Sequence, residues 1–186
     1  MTIDASDRYN LTAILLHWII AIAVIFMLGL GLYMSELPRG SAEQLQYYQL
    51  HKSVGITILV LSALRILWRF THEVPPLPSS LKPWERITSH GIQHIFYLLI
   101  VILPLSGWAI VSASTRGVPT RLFGLVTLPN ISFIADLENK KAVGDIFGEA
   151  HELMAWAMIA LLVLHVGAAL RHHFMLKDNV LRRMLP

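Results

Sequence analysis

The stretch "AHELMAWAMIALLVLH", residues 150–165, puts His151 and His165 at the two ends of one apolar segment. An imidazole nitrogen is a common metal ligand, and an ionisable side chain inside a membrane helix is costly enough to point to function. The fourteen residue steps from one to the other rise about 21 Å along a helix and return to within about 40° of the starting direction. The two rings therefore share a face at two separate levels. His17 in "LHWIIAIAV" and His51 in "LHKSVG" are two further histidines at or within apolar runs. The chemistry within reach is metal ligation from more than one helix.

The elements that position these residues follow from hydropathy. The chain has 186 residues, of which 55% are hydrophobic types and 15% charged, outside the usual range for a soluble domain. Four apolar runs, at about 11–34, 50–70, 91–112 and 150–172, each approach the ~20 residues a helix needs to cross a bilayer. Without water to satisfy the backbone, such continuous runs cross only as helices. The expectation is an all-α integral membrane four-helix bundle, one domain over residues 1–186, with a long outer loop at about 113–149. The first run is too long for a signal-peptide core and lacks a small-residue cleavage pattern close behind, so it is expected to stay in the mature protein.

Depth along these runs sorts the histidines. His17 lies about two turns from the inner end of the first helix and His165 at a similar depth in the fourth. His51 and His151 start the second and fourth helices at the outer side. Two layers result, His17 with His165 and His51 with His151, each joining two helices. Facing imidazoles suit the two axial positions of a porphyrin iron. A lone intramembrane histidine is ordinarily explained by a hydrogen bond to a neighbouring helix; this pattern would need two such coincidences. Zinc fits poorly, because neither layer offers four ligands. The absence of cysteine excludes disulfides, thiolate-held iron–sulfur clusters and two-cysteine haem attachment. Gly55, one turn after His51, and Gly167 are candidates for close approach of a flat macrocycle.

Charge sets the expected orientation. Nine Lys and Arg fall on the face with the termini, against six on the other, so both termini are expected in the cytoplasm, in a multi-pass protein of the bacterial inner membrane. Asn10 or Thr12 is expected to cap the first helix, with Trp18 and Tyr33 near the two interfaces. Arg65 and Arg69 are expected to snorkel to the headgroups, and four prolines in "THEVPPLPSSLKPWE" to separate the second and third helices. Pro104 and Gly107 in "LPLSGW" can kink or closely pack the third. The outer loop is expected to fold back over the bundle.

Four blocks in order, "LHWIIAIAV", "LHKSVGITILVL" with "RILWR", "YLLIVILPLSGW" and "HELMAWAMIALLVLHVGAALRHHFMLKDNVLRRMLP", resemble the bacterial cytochrome b561 family over nearly the whole chain. The resemblance implies two b-type haems with axial ligands His17, His51, His151 and His165. It also implies electron transfer between an aqueous donor and the quinone pool. One type in the family is similar to a superoxide oxidase that delivers electrons to ubiquinone; other members imply a cytochrome b subunit for another periplasmic or membrane redox partner. A haem-binding membrane protein without turnover is a further alternative.

The remaining histidines divide by position. His172, two turns after His165, is a quinone-site candidate by resemblance, and its alternative is an interfacial side chain facing headgroups. "KDN" at 177–179 is a second candidate on the inner face, its alternative a solvated turn. His90 is a weaker quinone-site candidate; with His94 it has i, i+4 spacing but no evident third metal ligand. His72 and His173 are expected to face outward. Outside, Arg116, Arg121, Lys140 and Lys141 can attract an anion such as superoxide. Asp136, Glu138, Asp145, Glu149 and Glu152 in the same region oppose that field. Lys52 is a candidate partner for a haem propionate. No P-loop, dinucleotide fingerprint or nucleophile–base arrangement occurs, and no basic stripe interleaved with aromatics points to nucleic acid.

Overall fold

The computed structural model describes residues 8–77, 81–115 and 117–185. Four helices are long and apolar enough to cross a membrane. They are α1 (Leu11–Glu36), α2 (Ala42–Thr71), α3 (Pro83–Ser112) and, after the short α4 (Ser132–Ala135), α5 (Lys140–Leu170). A π-turn, Arg171–Leu176, extends α5, and a 3-10 turn, Arg182–Met184, closes the described chain.

α1 starts with its apolar run, and the other three spans start before theirs. Asn10 caps α1: its Oδ1 accepts from Ala13 N at 2.9 Å and from the Trp68 indole at 2.9 Å. Ser41 caps α2 by accepting from Gln44 N at 3.1 Å, so the polar but helix-favouring "AEQLQYYQ" becomes its first turns. Pro83 opens α3, and the Glu85 carboxylate accepts from Lys82 N at 3.0 Å. α2, α3 and α5 thus begin about two or more turns before the expected residues 50, 91 and 150. His51 and His151 consequently lie inside their helices rather than at the first turn. Hydropathy located the spans; capping located the starts of α1, α2 and α3.

The outer connection is shorter than expected because α5 absorbs about its last quarter. What remains holds an antiparallel hairpin, β1 (Thr120–Leu122) with β2 (Val126–Leu128), in which Arg121 pairs with Thr127. The hairpin folds back onto α2: Ser53 Oγ accepts from Phe123 N at 2.9 Å while its one proton goes to Gln49 O, at 2.8 Å in its own helix. Gln49 binds Arg121 N and Pro119 O. Phe123 and Gly124 turn the hairpin with φ of 49° and 77°, a conformation that glycine adopts without strain.

α1 packs on α2, α2 on α3 and α3 on α5. The central apolar cluster is Leu99, Ile100 and Met158, with Phe96, Leu103 and Met154 against it. Met158, 1% exposed, stands midway between His151 and His165 on α5. α5 meets the bundle chiefly through α3, which leaves its histidine face toward α1 and α2.

Both ends of the described chain lie at one end of the bundle. Arg8 reaches Leu185 O at 2.6 Å, Trp18 donates its indole N–H to Met184 O at 2.6 Å, and Arg183 reaches Pro76 O at 2.7 Å. Trp18 is therefore a tether for the tail as well as an interfacial ring. Arg65 and Arg69 turn into the bundle, with Cζ atoms 5.9 and 5.7 Å from the Tyr97 ring centre, which corrects the expectation that they snorkel to headgroups. A ring face offers a guanidinium an attractive site without full hydration.

Candidate functional site

The structure brings together the two histidine pairs expected from depth. His17 of α1 faces His165 of α5 with ring centres 6.4 Å apart and planes inclined by 65°. His51 of α2 faces His151 of α5 at 6.3 Å and 63°. Neither pair is joined by a hydrogen bond. A direct N–H···N bond of about 2.9 Å would bring the ring centres to about 5.1 Å. Two metal–imidazole bonds of about 2.0–2.1 Å, with about 1.1 Å from each ring centre to its nitrogen, give about 6.3 Å. Both centre-to-centre distances are thus of the size that two imidazoles sharing one iron would need, and the residues present suit bis-imidazole ligation.

The surroundings differ between layers. In the outer one, Ser106 Oγ of α3 lies 2.8 Å from His151 Nδ1. Gly107 leaves room for that ring, since a Cβ there would stand 3.5 Å from His151 Cε1; at Gly31 of α1 it would stand 3.6 Å from His51 Cε1. His51 Nδ1 is buried without a hydrogen-bond partner. In the inner layer the rings meet aromatic edges: Phe96 at 5.2 Å from His165 and Trp18 at 5.6 Å from His17. Of the two expected glycines, Gly55 is used to pack α2 against Met27, while Gly167 has open space before it. Gly31 and Ser106 escaped sequence reasoning, because which helix faces lie opposite the rings is a matter of packing.

His172 is buried, 9% exposed, and its Nδ1 lies 2.5 Å from Asp178 Oδ2. The π-turn and the left-handed Lys177, φ 54°, fold the chain back to make this contact, and Asp178 Oδ1 also accepts from Val180 N at 3.0 Å. "KDN" is thus a tight turn that aims a carboxylate at an imidazole. His90 lies elsewhere, exposed on a cavity wall with Arg69, Arg86 and Gln93. His94 Nδ1 bonds His90 O at 2.6 Å within the same helix. Exposed His72 stacks on Trp68 at 3.6 Å. His173 is half-buried against Phe174 rather than outward-facing.

Of the outer cations, Lys141 is paired with Asp145 at 2.8 Å and Lys140 reaches Ala135 O. Lys52, beside His51, donates to Pro119 O at 3.2 Å, and Arg121 lies in the hairpin above it. Arg116 lies outside the described residues.

A family model for prokaryotic cytochrome b561 matches residues 8–186. Cytochrome b561 homolog 2 of Escherichia coli (strain K12) is 36% identical over 183 residues, covering 98% of this chain and 93% of that protein. The probable superoxide oxidase CybB of Yersinia pestis is 32% identical over 179 residues, 96% of each chain. Cytochrome b562 of Cereibacter sphaeroides is 27% identical over 184 residues, covering 95% of this chain and 94% of that protein. With matches of this extent and four membrane-spanning helices, the chain belongs to the prokaryotic cytochrome b561 family, as a multi-pass bacterial inner-membrane protein of b-type haem electron transfer.

Proposed function

We propose that the chain holds two b haems, one between His17 and His165 and one between His51 and His151, and carries electrons from superoxide outside to ubiquinone at the cytoplasmic side. The observation that carries this reading is the spacing of the two imidazole pairs, 6.4 and 6.3 Å. When bound, the haem irons supply reversible one-electron chemistry that no side chain here supplies. Met158 and the cluster around it keep water from the space between the layers. Lys52 and Arg121 give the outer end a local positive potential for a small anion, with Lys141 neutralised by Asp145. His172, held by Asp178, presents its other ring nitrogen to a quinone oxygen and holds a proton for it. The named similarity to a probable superoxide oxidase supports superoxide as donor.

Pyridine-haemochrome analysis is expected to give two haems per chain. Stopped-flow mixing is then expected to show haem reduction by superoxide near the diffusional ceiling, about 10⁸–10⁹ M⁻¹s⁻¹, and reoxidation by added ubiquinone. Slow, unsaturable reduction would overturn superoxide as donor. A second reading then takes its place, a cytochrome b subunit serving a protein donor. The apolar hairpin tip favours it: Leu125 is 86% exposed and Phe123 59%. In that case, deleting the tip would abolish reduction by the donor.

A further inference from the structure

At the end of the bundle opposite the two described chain ends, residues 122–135 contain no Asp, Glu, Lys or Arg. The next stretch, 136–149, carries Asp136, Glu138, Lys140, Lys141, Asp145 and Glu149. The uncharged segment comprises the hairpin turn, β2 and α4, and it leaves large apolar side chains uncovered. Leu125 is 86% exposed, and Phe123, Val126 and Phe133 are mostly exposed as well. An apolar patch of this kind marks a face that meets either lipid or protein.

Hydrogen bonds to two spans fix the depth of this segment. On α2, Gln49 and Lys52 donate to Pro119 O at 2.9 and 3.2 Å, and Ser53 Oγ accepts from Phe123 N. On α3, the Trp108 indole donates to Pro129 O at 3.0 Å, and Ser112 Oγ accepts from Ile131 N at 2.9 Å. The α2 anchors stand where the uncharged stretch 53–64 begins, and Ser112 is the last residue of α3. Both spans leave the hydrocarbon at that height, where a tryptophan ring with a bonded N–H is commonly seated. The hairpin therefore rests on the rim of the bundle at headgroup level. α5, by contrast, begins at Lys140, about 15 Å of helix before its apolar run, and carries the charged stretch outward.

Two further observations favour lipid. The turn amides are all bonded within the protein: Phe123 N to Ser53, Gly124 N to Arg121 O at 3.5 Å and Leu125 N to Leu122 O at 2.9 Å. An open amide would oppose entry into an apolar phase. The α2 face that holds the hairpin also continues as lipid-facing surface, because Val60 and Leu64, two and three turns beyond Ser53 on the same face, are exposed. A protein that docks for electron transfer is guided by charge on the face it meets, whereas acyl chains require that charge to be absent. We infer that the turn and β2, led by Phe123, Leu125 and Val126, are seated in the lipid of the adjacent leaflet, making the hairpin an interfacial anchor continuous with the spans.

The chain has no cysteine, so a single introduced thiol reports its own surroundings. Leu125→Cys, Val126→Cys and, as the aqueous control, Glu138→Cys are prepared as haem-loaded protein in phosphatidylglycerol nanodiscs, one copy per disc. Alkylation by a charged maleimide, followed by intact mass, is expected to be at least about tenfold slower at both hairpin positions than at the control, because a thiol in an apolar phase stays protonated and unreactive. The protein itself leaves Leu125 open, so protection there comes from lipid. Benzophenone maleimide on the same thiols is expected to yield phospholipid adducts on illumination for both hairpin variants and none for Glu138→Cys. Equal alkylation rates, or hairpin variants without lipid adducts, would overturn the anchor. In inner-membrane vesicles, an adduct of Leu125→Cys to a protein in place of lipid would overturn lipid as the occupant. Neither readout depends on which donor reduces the haems.

Discussion

Ser106 donates its hydroxyl proton to Leu103 O at 2.8 Å, so at His151 Nδ1, also at 2.8 Å, it accepts. A hydroxyl has one proton to give. His151 therefore carries hydrogen on Nδ1 and keeps the Nε2 lone pair for a metal, and the acceptor raises the basicity of the ring. Ser106→Ala is expected to weaken outer-haem retention by about 10-fold, the lower range for loss of such a partner. A less basic ligand favours the reduced iron, so the outer haem midpoint is expected to rise. A spectroscopic redox titration that leaves both midpoints in place would refute this role.

Gly107 sets how closely α3 approaches the same ring. A Cβ at 3.5 Å from His151 Cε1 is ordinary van der Waals contact, so Gly107→Ala is expected to keep both haems. Gly107→Val adds two branches in a space with no slack, and overpacking of this kind costs about 1–3 kcal/mol. The expected result is loss of the outer haem alone, read as a haemochrome value falling from two to one per chain. Loss of neither, or of both, would contradict it.

The pairing itself predicts which haem each histidine controls. His51→Ala is expected to remove the outer haem and leave the inner one, whereas His17→Ala does the reverse. Low-temperature absorption and electron paramagnetic resonance separate the two signals. His51→Ala removing the inner signal would mean that the pairs are wrongly drawn.

Asp178 lies against Nδ1 of His172 and fixes which nitrogen is left over, the one that the proposed function assigns to a quinone. Asp178→Asn keeps the shape and removes the charge. Reoxidation of the reduced haems by ubiquinone is expected to slow about 10-fold, within the range of a positioned acid–base group, while reduction from the outside stays unchanged. Stopped-flow traces for the two half-reactions check this; equal slowing of both would point to a general structural defect.

Much of the bundle was legible in the sequence because lipid narrows the choices. Continuous apolar runs can only be helices there, and a fourteen-residue interval on a helix fixes two levels on one face whatever the neighbours do. The helix starts were not legible from hydropathy, since capping by Ser41 and the Pro83–Glu85 turn extend helices through polar residues. Arg65 and Arg69 were misjudged for a related reason: facing lipid or facing Tyr97 depends on how α2 is rotated against α3. Hydropathy carries no information on that rotation.

The sequence by itself determined the four spans, the family and the four histidines at matched depths, all consequences of local composition and helical repeat. Only the tertiary structure decided that the rings stand 6.4 and 6.3 Å apart, that Ser106 and Gly107 attend one of them, and that Asp178 folds back on His172. The first two depend on interhelical rotation and crossing, set by packing among residues far apart in the chain, and the third on a π-turn and a left-handed Lys177 that composition alone does not reveal.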